Sequence, residues 1–313
     1  MAEHIGIDVG GTFIKAGLVA GDGSIIDSVK LPTDVQGGVE AVEARILEAV
    51  EGLESGTLES AALSLSKGPS RTGTIGIGLP GIVDPREGVV RLSPNIPCWN
   101  DYPARERLGR LLGTVVRVEN DANCAALAEA WLGAGRDLES FLLVTLGTGV
   151  GGGVFLSGRL WRGDGGRGGE VGHVVVDPDG LPCGCGARGC LETVSSSTAI
   201  LREARRAGLK GNVEDLAGRA RDGGHDESIL FERAGRALGI ALAAWLNIID
   251  VHAIIVAGGM QPVLDLLEGP ARAEIASRAY GLDVGAVRLL GATFGEDAGI
   301  VGAVRLAAGF PSP

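Results

Sequence analysis

The chain uses one local device twice, and that repetition constrains its fold more than any other feature. His4 to Val9 is an apolar run carrying Asp8, followed by Gly10-Gly11-Thr12 and a second apolar run from Phe13 to Val19. The same grammar returns at Phe141 to Leu146, then Gly147-Thr148-Gly149, then, after an intervening Val150, Gly151 to Leu156. Two short apolar runs joined by a glycine-rich turn read as strand, tight turn, strand. Each half continues with further strand patterns: Thr74 to Ile77 and Val115 to Val118 in the first, Ala253 to Ala257 and Val287 to Leu290 in the second. Helical periodicity lies between them, so the expectation is an α/β fold built as two related lobes. A chain of 313 residues with 45% hydrophobic content exceeds what one core usually occupies, which agrees with two domains.

Turns of this kind expose backbone N–H groups and tolerate close approach of a phosphate, because glycine brings no Cβ. One such turn per half suits a nucleotide triphosphate held in a cleft, although either turn alone reads equally well as a plain hairpin. The string Gly147 to Gly152 also satisfies G-x-G-x-x-G, but a strand rather than a helix follows it, so a dinucleotide site is not expected. No G-x-x-x-x-G-K-[ST] occurs. A third glycine turn, Ala257-Gly258-Gly259, ends the strand Ala253 to Val256 and would admit a flat adenosine. Leu63 to Thr72 and Gly158 to Gly169 read as loops by composition, the second leading directly into Glu170 and His173.

Between His173 and Cys190 the chain reads His-x9-Cys-Gly-Cys-Gly-x2-Gly-Cys, with Glu170 upstream and Glu192 downstream. One histidine with Cys183, Cys185 and Cys190 is the ligand set of a closed tetrahedral zinc site. The competing readings are small core cysteines, a disulfide, or an iron–sulfur site. The first suits so glycine-rich a run poorly, a Cys-x-Cys bridge is strained, and iron–sulfur proteins use other spacings. Glu119-Asn120-Asp121-Ala122-Asn123 closes the strand Val115 to Val118 and opens an Ala-rich helix running from Ala122 to about Leu132. Asn and Asp there are natural helix caps. The same short polar side chains, taken with Glu170, His173 and Glu192, also supply acceptors for a polyhydroxylated ligand.

The net charge of −11, with lysine only at positions 15, 30, 67 and 210, argues against broad binding to nucleic acid or an anionic membrane. No uninterrupted run of 18 apolar residues occurs, Met1 leads straight into a strand, and the few cysteines fit a reducing compartment. The expected address is the cytoplasm.

These motifs together resemble the ROK family, within the sugar kinase, Hsp70 and actin superfamily. The matches are Asp8-Val9-Gly10-Gly11-Thr12 with Lys15, Gly78-Leu79-Pro80-Gly81, Glu119 to Asn123, Gly147 to Gly153, Glu170-Val171-Gly172-His173, and the cysteine run through Glu192. The resemblance implies two actin-like lobes, 1–121 completed by a C-terminal helix 299–313, and 122–298 carrying the zinc motif 173–190. They would close over ATP and a hexose. It implies Asp121 as catalytic base, with Gly81, Asn95, Asn120, Glu170, His173 and Glu192 contacting the sugar. Asp8, Gly10, Gly11, Thr12, Lys15, Thr148, Gly149, Gly258 and Gly259 would serve the nucleotide and its Mg²⁺, and zinc would be structural. Lysine two residues into a second strand is also often a solvated edge residue, so Lys15 reads both ways. The implied activity is transfer of the ATP γ-phosphate to the 6-hydroxyl of glucose, by a homodimer or homotetramer. N-acetylmannosamine, N-acetylglucosamine, mannose or fructose as acceptor, and polyphosphate as donor, are alternatives. A sugar-responsive regulator is the other class, but a DNA-reading module is not expected with only seven residues before Asp8.

Overall fold

The structure, a computed structural model, describes residues 4–54 and 73–309. The loop read at Leu63 to Thr72 lies outside them. In chain order the first elements are β1 (His4–Val9), β2 (Phe13–Val19), β3 (Ile25–Pro32), α1 (Gly38–Glu54), β4 (Ile75–Leu79), β5 (Ile82–Asp84), β6 (Val89–Leu92), α2 (Ala104–Leu112), β7 (Val116–Asn120) and α3 (Asp121–Leu132). Then come β8 (Phe141–Leu146), β9 (Val150–Leu156), β10 (Arg159–Trp161), α4 (Glu192–Ser195), α5 (Ser197–Arg206), α6 (Val213–Arg221), α7 (His225–Ile249), β11 (Ala253–Ala257), α8 (Leu264–Arg278), β12 (Arg288–Gly291) and α9 (Ala298–Ala308).

The described residues fall into two compact units. One holds the residues up to Arg136, Arg159–Gly168 and those from Asp297 on; the other holds Asp137–Gly158 and Gly169–Glu296. In the first unit the sheet runs β3-β2-β1-β4-β7, with β1 antiparallel to β2 and parallel to β4. In the second, β9-β8-β11-β12 repeats that arrangement, β8 being antiparallel to β9 and parallel to β11. The shared hairpin grammar thus reflects a shared topology. β4 and β11 are buried at every position, the pattern of strands covered on both faces.

In the first unit α1 packs against β2 and β3, while α9 packs against β1, β4 and α3. The approach of α9 is close: a Cβ on Gly76 would stand 1.7 Å from the Ala303 carbonyl oxygen, and one on Gly302 would stand 1.7 Å from that of Cys124. Ile5, Ile7, Ile46, Ile77, Trp99 and Leu108 form its core. In the second unit α7 packs against α8, α6 and α5, around Leu142, Val144, Phe231, Leu238 and Ile254.

The compact unit that holds α3 runs to Arg136, and α3 packs there against α9 and β4. Two sequence expectations are adjusted. The strand read as Val115 to Val118 runs on to Asn120, since Glu119 and Asn120 still pair with Gly78 and Leu79 of β4. The stretch read as loop from Gly158 to Gly169 contains the strand β10.

Candidate active site and metal-ligand cluster

In the first unit Gly10 N–H donates to the Phe13 carbonyl at 2.9 Å, which closes the β1–β2 turn. Thr33, fully buried, holds that turn from outside, its hydroxyl donating to the Gly10 carbonyl at 2.7 Å and its N–H to that of Thr12 at 3.0 Å. Asn95 lies against Gly11, because Ile96 and Trp99 are wholly buried and fix the segment that carries it. Lys15 is the cross-strand partner of Asp8 on a strand inside the sheet, so it is not an edge residue. Burial pushes Asp8 up to about 7, the Asp121 charge adding to the rise and Lys15 opposing it.

At the start of α3 two neighbouring polar residues, an amide and a carboxylate, divide the work. Asn120 is the helix cap: its Oδ1 accepts from Asn123 N–H at 3.0 Å. Its Nδ2 donates to the Gly81 carbonyl at 3.0 Å and to Asp121 Oδ1 at 2.9 Å. Asp121 Oδ1 also accepts from Ala122 N–H at 2.8 Å. Gly81 sits at φ 94°, and a Cβ there would come within 2.1 Å of the Leu92 carbonyl oxygen, so this turn admits only glycine. The sequence reading named Glu119 within its motif but gave it no role of its own; it is almost completely buried. Its carboxylate accepts from Asn120 N–H and Asn123 Nδ2 at 3.0 Å each and from Arg162 Nε at 2.5 Å. The only available signal was that a carboxylate ending a buried strand requires a cation, and Arg162 lies 43 positions away.

In the second unit the Gly147–Gly149 turn is held by the start of α4 and α5. Glu192 Oε2 accepts from Val150 N–H at 3.0 Å, Ser197 N–H donates to the Gly147 carbonyl at 2.8 Å, and the Thr198 hydroxyl donates to that of Thr148 at 2.7 Å. A Cβ on Gly149 would stand 2.5 Å from Glu192 Oε2, so the carboxylate fills the space that glycine leaves. Gly258 has φ 89° and packs against the Leu146 carbonyl, whereas a Cβ on Gly259 would meet nothing within 4 Å. The structure thus gives Gly258 a packing reason of its own and leaves the face of Gly259 open.

His173, Cys183, Cys185 and Cys190 converge, their ligand atoms all lying within 4.8 Å of one another. His173 Nδ1 is 3.6 Å from Cys183 Sγ, and Cys185 Sγ is 3.7 Å from Cys190 Sγ. Tetrahedral sulfur ligands about 2.3 Å from one zinc ion stand roughly 3.8 Å apart, so this donor set and spacing fit zinc. The loop reaches that shape through backbone bonds: Cys183 N–H donates to Ala187, Gly189 N–H to Leu181, and Val176 N–H to Gly189. His173 Nε2 points the other way, 3.9 Å from Glu170 Oε2. Burial raises the Glu170 carboxyl above its usual range, with His173 lowering it and Glu192 raising it further. Glu192 therefore touches both the glycine turn and, at 3.9 Å from Cys183 Sγ, the cysteine cluster.

Paired α/β units of one topology, each with a glycine hairpin, and a Cys₃His cluster define the ROK class of sugar-kinase folds. The ROK family model matches residues 4–309, and the chain belongs to that family. It is 38% identical to the glucokinase of Thermotoga maritima, over 96% of each chain. It is 31% identical to the N-acetylmannosamine kinase of Escherichia fergusonii, over 97% of this chain and 98% of that one. Among solved structures it resembles the ROK glucokinase of Streptomyces griseus in complex with glucose and AMPPNP, at 32% identity, a TM-score of 0.83, and coverage of 98% and 99% of the two chains.

Proposed function

We propose that this chain is an ATP-dependent hexose kinase that transfers the γ-phosphate to the 6-hydroxyl of glucose. The observation that carries the reading is the division of labour at the start of α3. Asn120 caps the helix, so the Asp121 carboxylate is not spent on capping and is held by Asn120 and Ala122 beside Asp8. Phosphoryl transfer proceeds through a loose transition state, in which the protein mainly positions the groups and balances charge. In this reading Asp121 accepts the hydroxyl proton late. Asn95, Asn120, Glu170, His173 and Glu192 pair sugar hydroxyls, and Gly81 gives the backbone room to approach.

MgATP is the second substrate. Asp8 holds Mg²⁺ directly or through water, Lys15 offsets phosphate charge, and Gly10, Gly11, Thr12, Thr148 and Gly149 present donors to the phosphates. Gly258 and Gly259 leave a flat space for adenosine. Zinc on His173, Cys183, Cys185 and Cys190 is structural: it fixes the segment from His173 to Glu192, and His173 keeps its other ring nitrogen for the sugar. The same reading includes a homodimer or homotetramer with a cytoplasmic address. The address rests on the low cysteine content, which fits a reducing compartment; among the described residues no helix is long and apolar enough to cross a membrane. Light scattering on the purified protein tests the oligomeric part.

The acceptor is the narrowest part of the proposal, because a relative at 31% identity is named for N-acetylmannosamine. A coupled assay of one purified sample against glucose, mannose, fructose and both acetamido sugars, with ATP and polyphosphate as donors, tests it. Hexose-dependent ADP formation is expected with glucose, and its absence for every sugar overturns the reading.

A further inference from the structure

We propose that Arg162 is a positioning residue for Asp121, acting through Glu119 and two asparagines. This rests on the kinase reading of Asp121, but the network itself is laid out in distances. The Arg162 guanidinium donates from Nε to Glu119 Oε2 at 2.5 Å. Glu119 Oε1 accepts from Asn123 Nδ2 and Asn120 N–H, each at 3.0 Å. Asn123 N–H then donates to Asn120 Oδ1, and Asn120 Nδ2 donates to Asp121 Oδ1 at 2.9 Å. One unbroken chain of hydrogen bonds therefore leads from the guanidinium to the carboxylate that takes the proton.

Arg162 is itself held in place. Gly168 N–H donates to the Arg162 carbonyl at 2.8 Å, and the segment lies so close to β5 that a Cβ on Gly166 would come 2.2 Å from the Val83 carbonyl oxygen. Stability alone is a poor explanation for the pair, because a buried ion pair is commonly no better than well-packed apolar groups of the same volume. What apolar groups do not supply is the orientation of acceptors: the Glu119 carboxylate, 1% exposed, accepts from Arg162 through one oxygen and from both asparagines through the other, so the guanidinium fixes where those oxygens point. Burial raises the Cys124 thiol, Glu119, Asp8 and Asp121 raise it further, and Arg162 opposes them.

The test compares Arg162→Met, Arg162→Lys and the double variant Arg162→Met/Glu119→Gln with the wild type. Arg162→Met is expected to lower kcat by at least about tenfold while the KM values for hexose and ATP stay within about threefold. Lysine keeps the charge without the planar fork and is expected to recover only part of the loss. The double variant has no unpaired buried charge, so it is expected to fold even where Arg162→Met does not, and to remain slow. A double variant turning over within about twofold of wild type overturns the proposal and leaves the pair purely structural. Nitrogen-15 spectra report the network without any turnover: the side-chain amide signals of Asn120 and Asn123 are expected to shift in every variant. Unchanged amide signals overturn the coupling whatever the activity. A wild type inactive on every hexose refutes the kinase reading instead, and the amide shifts still decide the network.

Discussion

Asn120 and Asp121 are neighbours of almost equal size, and the difference between an amide and a carboxylate decides what each does. The amide both donates and accepts, so Asn120 caps α3 and ties down Gly81 and Asp121 in one arrangement. A carboxylate only accepts, which is what a proton acceptor requires. Asp121→Asn is therefore expected to keep the fold and sugar binding yet lower turnover by at least about 10²-fold, measured as kcat beside a thermal melt. A near wild-type rate would remove Asp121 from the mechanism. Asp8 makes a second prediction, on stability. Its folded carboxyl keeps its proton up to about 7, whereas an unfolded aspartate releases it near 4. The folded chain then binds more protons than the unfolded one between those values, so stability falls as pH rises from about 4 to about 7 and is level above. Asp8→Asn removes that cost. Without Mg²⁺ or nucleotide it is expected to be the more stable chain at pH 8, by up to about 4 kcal/mol, with the difference vanishing near pH 4 in urea titrations. Both carboxylates were legible as motif residues. Glu119 was legible within the same motif, but its pairing with Arg162 was not, because it spans 43 positions and only folding brings the two together.

At the scale of elements, the hairpins β1–β2 and β8–β9 were readable because period-two apolar runs flanking glycine are a local signal. The docking of α9 was not readable, since its glycines act only through what lies opposite them. Gly302→Ala would drive a methyl group into the Cys124 carbonyl, and the expected outcome is a loss of about 3 kcal/mol or more in chemical unfolding. An unchanged midpoint would show that α9 shifts without cost. The cysteine loop makes a further prediction. Purified protein is expected to hold about one zinc per chain, and Cys185→Ala to lose the metal together with sugar affinity, because the cluster anchors the segment that runs from His173 to Glu192. Metal analysis beside sugar titration checks this. A metal-free variant that binds glucose normally would separate the cluster from the sugar site. Glu192 gives the coupling a physical route, since one carboxylate reaches both Val150 N–H and the vicinity of Cys183.

For the whole molecule the open choice is the acceptor. In the proposed site an unsubstituted hexose would present its 2-hydroxyl to Glu170 or His173, whereas an acetamido sugar would put a bulky amide there. Leaving a buried polar group unpaired costs roughly 1 to 3 kcal/mol, about one to two orders of magnitude in specificity. Glucose is therefore expected to exceed N-acetylmannosamine and N-acetylglucosamine by at least about tenfold in kcat/KM with ATP. Equal or better turnover of either acetamido sugar would overturn the choice of glucose and leave the phosphoryl-transfer reading intact. The amino-acid sequence by itself determined the α/β class, the repeated hairpin, the family and the Cys₃His cluster that could hold a metal, because each is carried by short-range spacing: alternation within a strand, glycines within a turn, a histidine and three cysteines within 18 residues. The tertiary structure alone decided which residues complete each compact unit. Arg159–Gly168 and the C-terminal α9 join the first unit despite lying far along the chain, and α3 stays with it past residue 121. It alone showed that Thr33 braces the first glycine turn, that Glu192 braces the second, and that Arg162 answers the buried charge of Glu119. The physical reason is the same in each case: a buried polar group must find its partner in space, and nothing in local periodicity records where along the chain that partner lies.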